Sequence, residues 1–180
     1  FNEFAEEVGP ENVRLVMHTA PRDRVGQDIL TMLADLGADD GRIQISQNRL
    51  KPEHLASIYN AVDCTINISD AEGFGLATLE SLSCGTPIIA TMTGGLQEQV
   101  TNVKKISDKI VDRRNAKNAG KAVEYEHGIG LEPSSRSVIG SQEVPYIYED
   151  RLCKEQVVEA LTKMYEYGPE KRAEIGTVGR

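Results

Sequence analysis

Short apolar segments rich in β-branched residues alternate, over the first hundred residues, with segments whose apolar residues recur at helical spacing. Strands are predicted where the runs are short, apolar and bounded by turn residues. They cover 12–18, 42–46, 63–69 and 86–91. Helices are predicted over 28–36, 51–59, 75–83 and 96–100. This alternation predicts an α/β fold built on a parallel, doubly wound, Rossmann-like sheet with its core in 12–100.

The pattern weakens beyond residue 100. Residues 101–142 are rich in Lys, Asn, Ser and Gly, and we interpret them as an excursion from the core, in which Gly128–Pro133 is compatible with one short strand. Apolar positions then recur on one face of a predicted helix over 151–167, and a more polar helix is predicted to end the segment 151–179. We therefore expect residues 1–180 to form a single domain.

Composition narrows the classes of function. The chain has 180 residues and a net charge of −8, with 28 acidic and 20 basic residues. Nucleic acid is therefore not expected as a partner, whereas a single diphosphate needs only a local nest of N–H groups. No run approaches the ~20 apolar residues of a membrane-spanning helix. The three scattered cysteines match no zinc spacing and suggest a reducing compartment, so we expect a cytoplasmic protein.

The start of the chain favours a fragment. Phe1–Val8 has the pattern of an amphipathic helix, with no initiator methionine and no preceding strand. We therefore interpret the chain as part of a longer protein.

One segment carries the candidate chemistry, Glu72-Gly-Phe-Gly-Leu-Ala-Thr-Leu-Glu80. Gly73 and Gly75 permit a sharp turn after a strand and close approach of a ligand. The first turn of the following helix offers unpaired N–H groups, which suit a diphosphate. Glu80 lies about 7–8 Å along the helix axis and leans back towards that end, while Glu72 lies in the loop. Two hydroxyl-accepting carboxylates around an anion site suit a nucleotide sugar.

This segment resembles the signature of the retaining GT-B glycosyltransferases called group 1 or family 4. The resemblance continues into Ser81–Ala90 and Gly94-Gly95-Leu96, and back through Leu55–Asp63. It implies that the chain is the C-terminal, nucleotide-sugar-binding half of a GT-B fold.

The resemblance also implies roles for individual residues. Glu72 faces the donor sugar as the catalytic residue, and Glu80 holds the ribose hydroxyls. The backbone around the sugar and diphosphate comes from Gly73, Phe74, Gly75 and Leu76. Gly94 and Gly95 either close over the donor or only form the turn, and we favour the first reading.

The family transfers a sugar with retention and without a metal or other cofactor, and the departing phosphate helps to take the proton of the acceptor. The acceptor, and any membrane contact, belong to an amino-terminal domain outside this chain. A diphosphate-binding Arg and Lys are expected in a loop that would precede Phe1. We therefore expect the isolated chain to bind nucleotide weakly and to transfer no sugar.

Two further groups of residues follow predicted strands and are candidate nucleotide or phosphate contacts. Arg22 and Arg24 follow the first strand; for these two we favour ordinary solvated charges, with phosphate contact as the alternative. Gln47, Asn48 and Arg49 follow the second strand, where this fold often meets the base.

Three other functions compete with sugar transfer. A binding module would keep the donor site without catalysis, and a nucleotide-sugar epimerase of GT-B type would share the fold. A phosphorylase would need a pyridoxal lysine motif, and none is visible in the sequence.

Overall fold

The computed structural model describes residues 1–24, 26–101 and 117–180. It divides into two compact units, Phe1–Lys51 and Pro52–Arg180. A two-stranded sheet lies in the first unit, and a four-stranded sheet with a separate two-stranded hairpin lies in the second.

The first unit contains two of the predicted strands and the helix between them. Its elements are α1 (Asn2–Val8), a 3-10 helix (Pro10–Asn12), β1 (Leu15–His18), α2 (Ile29–Asp35) and β2 (Ile43–Ser46). The strands pair in parallel, with Leu15 opposite Ile43. Asp28 caps α2 by accepting a hydrogen bond from the Thr31 N–H at 3.1 Å, which satisfies one of the free donors of the first turn.

The second unit continues the alternation and then departs from it. Its elements are α3 (Pro52–Ala61), β3 (Thr65–Asn67), α4 (Leu76–Ser83), β4 (Ile88–Thr91), α5 (Leu96–Val100), β5 (Ala122–Tyr125), β6 (Gly128–Leu131), β7 (Ser135–Ile139), β8 (Ile147–Arg151), α6 (Lys154–Glu166) and α7 (Gly168–Gly179). The main sheet has the order β3-β4-β6-β5. Its first three strands are parallel, which confirms the predicted α/β class with a parallel sheet.

The core of this unit surrounds β4. All four residues of β4 are buried, as expected for a β-branched strand that is covered on both faces. An apolar cluster joins this strand to the two flanking helices and contains Leu82, Ile88, Ala90, Met92, Leu96 and Val100. The carboxyl ends of β3 and β4 therefore lie on a rigid support.

The segment assigned to an excursion differs from the prediction. Residues 102–116 of it lie outside the described residues, but β5 and β6 belong to the main sheet, and β6 is fully buried beside β4. The predicted strand at Gly128–Pro133 is thus present as β6. The glycines of β6 interrupt the apolar pattern that predicts a strand. Glycine is required at Gly128 because a Cβ there would lie 1.9 Å from the Ile88 carbonyl oxygen.

The sheet is also mixed rather than wholly parallel. β5 pairs antiparallel with β6, with Tyr125 opposite Gly128. Only two residues separate these strands, and so short a link permits only an antiparallel hairpin.

The end of the excursion and the start of the next helix also differ from the prediction. β7 and β8 form an antiparallel hairpin, with Ser135 opposite Arg151. The helix predicted from residue 151 therefore begins at Lys154, after Arg151 has closed β8.

Candidate functional site

Two glycine-containing loops meet at the carboxyl ends of β3 and β4. The Gly95 N–H donates to the backbone oxygens of Glu72 at 3.3 Å and Gly73 at 3.2 Å. A side chain at Gly94 would lie 1.7 Å from the Glu72 oxygen, and one at Gly95 would lie 2.7 Å from the Gly73 oxygen. Such separations leave no room for a Cβ atom, so the two loops form one continuous backbone surface.

The first of these loops turns sharply into α4. Gly75 caps the helix with φ +86, a left-handed conformation that glycine adopts without strain. A Cβ there would lie 2.5 Å from the Leu96 Cδ2 atom. The first N–H groups of α4 have no acceptor within the helix and carry the positive end of its dipole. Chemically, this end of α4 suits an anion.

The strand before this loop is shorter than predicted because a side chain ends it. The Asn67 Oδ1 atom accepts hydrogen bonds from the Ser69 N–H at 3.1 Å and from the Ser69 hydroxyl at 2.7 Å. This local turn replaces continued strand pairing. It starts the loop that leads to Glu72.

Beyond that turn, the loop is attached to β8. The Asp150 N–H donates to the Asp70 backbone oxygen at 2.8 Å, and Arg151 Nη1 donates to Asp70 Oδ2 at 2.7 Å. Glu72, which follows two residues later, is half-buried. No sequence pattern indicates this attachment, because the partners are about eighty residues apart in the chain.

A buried amide holds the inner side of the turn. Gln99 Nε2 lies 2.5 Å from the Phe74 oxygen and 3.1 Å from the Gly75 oxygen. Its Oε1 atom lies 2.5 Å from the Thr78 hydroxyl. Neither Gln99 nor Thr78 was predicted as a site residue. The sequence feature that could have indicated Gln99 is its place in α5 between the apolar residues Leu96 and Val100, both of which are buried.

The second carboxylate is oriented by a tyrosine. Glu80 is exposed, and its Oε2 atom accepts a hydrogen bond from the Tyr59 hydroxyl at 3.0 Å. Burial, together with this bond to a carboxylate, raises the pKa of Tyr59 above its usual range. Thr86 donates to the Tyr59 backbone oxygen at 2.8 Å. Glu80 is therefore held on the α3 side of α4 by a protonated phenol.

The apolar side chains of the loop point outward. Phe74 is 54% exposed and Leu76 is 68% exposed. Their backbone rather than their side chains lies against the core, consistent with a loop whose peptide groups meet a ligand.

The candidates in the first unit lie on its surface. Arg22 is ion-paired with Asp28 at 2.9 Å, and its side chain is 70% exposed. An open cavity of about 340 Å³ is lined by Ala20, Pro21, Arg22, Leu30 and Gln47. The structure thus brings Arg22 and Gln47 to one cavity, whereas the exposed Arg24, Asn48 and Arg49 lie outside its lining. Their contact with a nucleotide stays a prediction.

Residues 1–24, 26–101 and 117–180 lack two features, a metal-binding cluster and a membrane-spanning helix. No group of three His, Cys, Asp or Glu side chains in these ranges is arranged to hold a metal ion. Among the helices of the same ranges, none has the length and apolar character needed to cross a membrane.

Comparison with known sequences identifies relatives. The model of the family described as Glycosyl transferases group 1 matches residues 42–125. A D-inositol 3-phosphate glycosyltransferase of Corynebacterium jeikeium is 34% identical over 118 residues, which are 66% of this chain and 26% of that protein. The enzyme of the same name from Acidothermus cellulolyticus is 38% identical over 90 residues, or 48% of this chain and 20% of that protein. The chain thus spans about a quarter or less of the length of these two relatives.

Solved structures share the fold at low sequence identity. The Anabaena protein HepE in complex with UDP and glucose has a TM-score of 0.58 at 16% identity, over 97% of this chain and 36% of that chain. Sucrose-phosphate synthase from Thermosynechococcus elongatus has a TM-score of 0.55 at 17% identity, over 99% and 43%. The catalytic domain of Arabidopsis thaliana starch synthase IV, bound to ADP and acarbose, has a TM-score of 0.54 at 14% identity, over 99% and 30%.

These likenesses define the class first: the chain has the α/β fold of the GT-B glycosyltransferases. Within that class, residues 42–125 match the model of the group 1 glycosyltransferases, and the D-inositol 3-phosphate glycosyltransferases are similar in sequence. The predicted fold class and the predicted resemblance to group 1 are confirmed. The site residues stay predictions.

Proposed function

We propose that this chain is the donor-binding part of a glycosyltransferase, which uses a nucleoside-diphosphate sugar and transfers the sugar to a hydroxyl acceptor. The observation that supports this proposal most directly is the contact between two loops at the start of α4. Gly94 and Gly95 pack against the backbone of Glu72 and Gly73. A rigid backbone surface at a helix N-terminus offers N–H groups that suit a diphosphate. The solved relatives that hold UDP or ADP support this ligand class.

Each part of the loop has a role in this proposal. The N–H groups of Gly73–Leu76 bind the sugar and diphosphate, and Gly94 and Gly95 complete the same surface. Glu80, oriented by Tyr59 at 3.0 Å, accepts hydrogen bonds from the ribose hydroxyls. Glu72 faces the sugar. Hydrogen bonds to such charged acceptors are each worth about 1.5–3 kcal/mol.

The proposed reaction breaks the bond between the anomeric carbon and the phosphate oxygen and forms a bond to the acceptor oxygen. The nucleoside diphosphate leaves with the electron pair, and one of its phosphate oxygens takes the acceptor proton. Retention of configuration, independence of a metal and a cytoplasmic location are part of the proposal. The acceptor binds to a further domain of the parent protein, so the isolated chain transfers no sugar.

Binding to the chain tests the donor site. We expect one of UDP, GDP and ADP, offered alone and as its glucose conjugate, to raise the thermal midpoint and to give a calorimetric Kd. Glu80→Ala should weaken that binding by roughly tenfold or more, since a charge-assisted hydrogen bond is lost. Glu155→Ala is the matched control, because Glu155 is another exposed glutamate on a helix, in the first turn of α6.

Two outcomes would contradict the proposal. Unchanged affinity in Glu80→Ala would remove the nucleotide from this end of α4. Equal losses in Glu80→Ala and Glu155→Ala would show that the loss does not depend on a contact made by Glu80.

A further inference from the structure

The side chain of Gln99 is a buried polar group behind the loop of residues 68–75 between β3 and α4, the donor loop. It is 8% exposed, and all its hydrogen-bonding groups have partners. Two backbone carbonyls face one end of the amide, and carbonyls only accept, so this end must be the NH₂ group with its two donors. The opposite end, Oε1, faces the Thr78 hydroxyl. The surroundings therefore permit only one orientation of the amide.

The backbone that carries this side chain is itself fixed. The His127 Nδ1 atom lies 2.9 Å from the Gln99 backbone oxygen, and the His127 N–H donates to the Val100 oxygen at 3.1 Å. Gln99 thus connects the turn between β5 and β6 to the loop in front of α4. Its NH₂ group is presented from a rigid base.

The direction of the two carbonyls determines the direction of two N–H groups. In a trans peptide the C=O of one residue and the N–H of the next point in opposite directions, and the described residues contain no cis peptide bond. The Phe74 and Gly75 oxygens point to Gln99, so the N–H groups of Gly75 and Leu76 point away from it. That side of the loop carries the exposed side chains of Phe74 and Leu76.

The peptide group between Phe74 and Gly75 depends most on this anchor. Gly75 has no Cβ and tolerates both halves of the backbone map, so its own conformational preference holds neither adjacent peptide plane in place. The Gly75 oxygen also accepts a hydrogen bond from the Leu79 N–H at 3.1 Å and lies 2.9 Å from the Thr78 hydroxyl. Without Gln99, the Phe74 oxygen would lose its hydrogen bond at 2.5 Å, at a desolvation cost.

We propose that Gln99 is a positioning residue, which turns the Gly75 and Leu76 N–H groups towards the bound diphosphate by holding the Phe74 and Gly75 carbonyls on the opposite side. The inference rests on the proposed function. It assigns Gln99 no contact with substrate, because the residue acts through the two peptide planes.

Backbone NMR of the unliganded chain tests the orientation. Gln99→Met keeps the length of the side chain and removes both donors, so the amide resonances of Gly75 and Leu76 should shift. Gln156→Met is the matched control, because Gln156 is a second buried glutamine whose Nε2 donates to a backbone carbonyl, that of Glu132, at 2.9 Å. Its variant should leave the resonances of Gly75 and Leu76 in place.

Binding tests the consequence with UDP, GDP, ADP and inorganic pyrophosphate as probes. We expect Gln99→Met to weaken binding of pyrophosphate and of the preferred nucleotide by roughly tenfold or more, and Gln156→Met to leave both unchanged. Gln99→Glu also lacks the donors at neutral pH. As the pH falls, its protonated carboxyl regains one donor, and part of the affinity should return. A role limited to stability would not produce this recovery.

Three results would overturn the inference. They are unchanged Gly75 and Leu76 resonances in both Gln99 variants, equal loss of affinity in Gln99→Met and Gln156→Met, and a Gln99→Glu variant whose affinity does not recover with acid. If no nucleotide binds the wild-type chain, the proposed function fails separately. Titration with pyrophosphate then tests the inference alone. The inference holds if pyrophosphate shifts the Gly75 and Leu76 resonances in the wild-type chain but not in Gln99→Met. Any other result contradicts it.

Discussion

The Tyr59 hydroxyl orients the carboxylate of Glu80. It donates to Glu80 Oε2 at 3.0 Å, and burial raises its pKa, so it stays a donor throughout the physiological range. An exposed carboxylate on a helix otherwise samples several rotamers. Tyr59 restricts Glu80 before any ligand arrives.

The first prediction concerns this restriction. Tyr59→Phe should weaken binding of the preferred nucleotide by roughly two- to tenfold, the usual net value of one hydrogen bond, with little change in the fold. Isothermal titration calorimetry measures the effect. Tyr146→Phe serves as the control, because Tyr146 is 76% exposed. Wild-type affinity in Tyr59→Phe would show that Glu80 needs no such orientation.

The second prediction concerns the packed glycines. Gly94→Ala should cost more than the ~1 kcal/mol that an alanine pays for a left-handed backbone, because its Cβ would also meet the Glu72 oxygen at 1.7 Å. Gly85→Ala isolates the backbone cost, since Gly85 has φ +80 and nothing within 4 Å of an added Cβ. Urea unfolding compares the two. Equal losses of stability would mean that the loops do not press together.

At the scale of elements, the β7–β8 hairpin is joined to the donor loop by its second strand. Arg136 Nε donates to Asp150 Oδ1 at 2.8 Å, and Asp150 is 4% exposed. The next residue, Arg151, is paired with Asp70 at 2.7 Å. An ordered hairpin thus helps to hold the loop that leads to Glu72.

The third prediction follows from the burial of Asp150 in its ion pair with Arg136. Arg136→Met should destabilise the chain by about 1–3 kcal/mol, because the buried Asp150 carboxylate loses a charged donor. Arg22→Met, which removes an exposed pair with Asp28, should change stability by less than about 1 kcal/mol. Denaturant midpoints give both values. A larger effect at Arg22 than at Arg136 would contradict the assignment.

At the scale of the whole molecule, the shifted pKa values of carboxyl and tyrosine groups predict a pH range in which the free energy of unfolding is nearly constant. On the acid side, backbone hydrogen bonds lower the pKa of Asp28 and of Asp40, and a hydrogen bond from Tyr167 lowers the pKa of Glu124. A lowered folded-state pKa means that the stabilisation is complete above the unfolded value and is lost as the pH falls. The unfolded values are 3.8 for the aspartates and 4.5 for Glu124.

On the alkaline side the sign reverses. Burial, followed by a hydrogen bond to a carboxylate, raises the pKa of Tyr59, Tyr125 and Tyr167 above the ordinary 10.0. Their contribution is complete below that value and is lost as the pH rises through the folded-state values.

The fourth prediction combines the two sides. The urea midpoint should stay nearly constant between about pH 5 and pH 9 and decline beyond either end. Tyr125→Phe should make the alkaline decline shallower without changing the acid decline. A midpoint that increases below pH 4.5, the unfolded value of Glu124, would contradict the assignment of these carboxylates.

The order of strands and helices over the first hundred residues was predictable because each element has its own local period. Gly75 is an example, since a glycine between an apolar strand and a helical repeat marks a turn wherever the chain is placed. β6 was only partly predictable, because two of its four residues are glycines that are required by neighbours distant in sequence, such as Ile88. β5 and β7 fell in the segment assigned to an excursion, and β8 lies just after it, at the start of the predicted helix.

By itself, the sequence determined the α/β class, the glycine turn into α4 and the two glutamates around it, because these depend on residue type and short-range spacing. Only the tertiary structure decided that Gly94 and Gly95 press on the Glu72 loop, that Gln99 fixes its carbonyls and that Tyr59 orients Glu80. Each of these contacts joins residues about twenty or more apart, and close packing, rather than any local pattern, selects which of them meet.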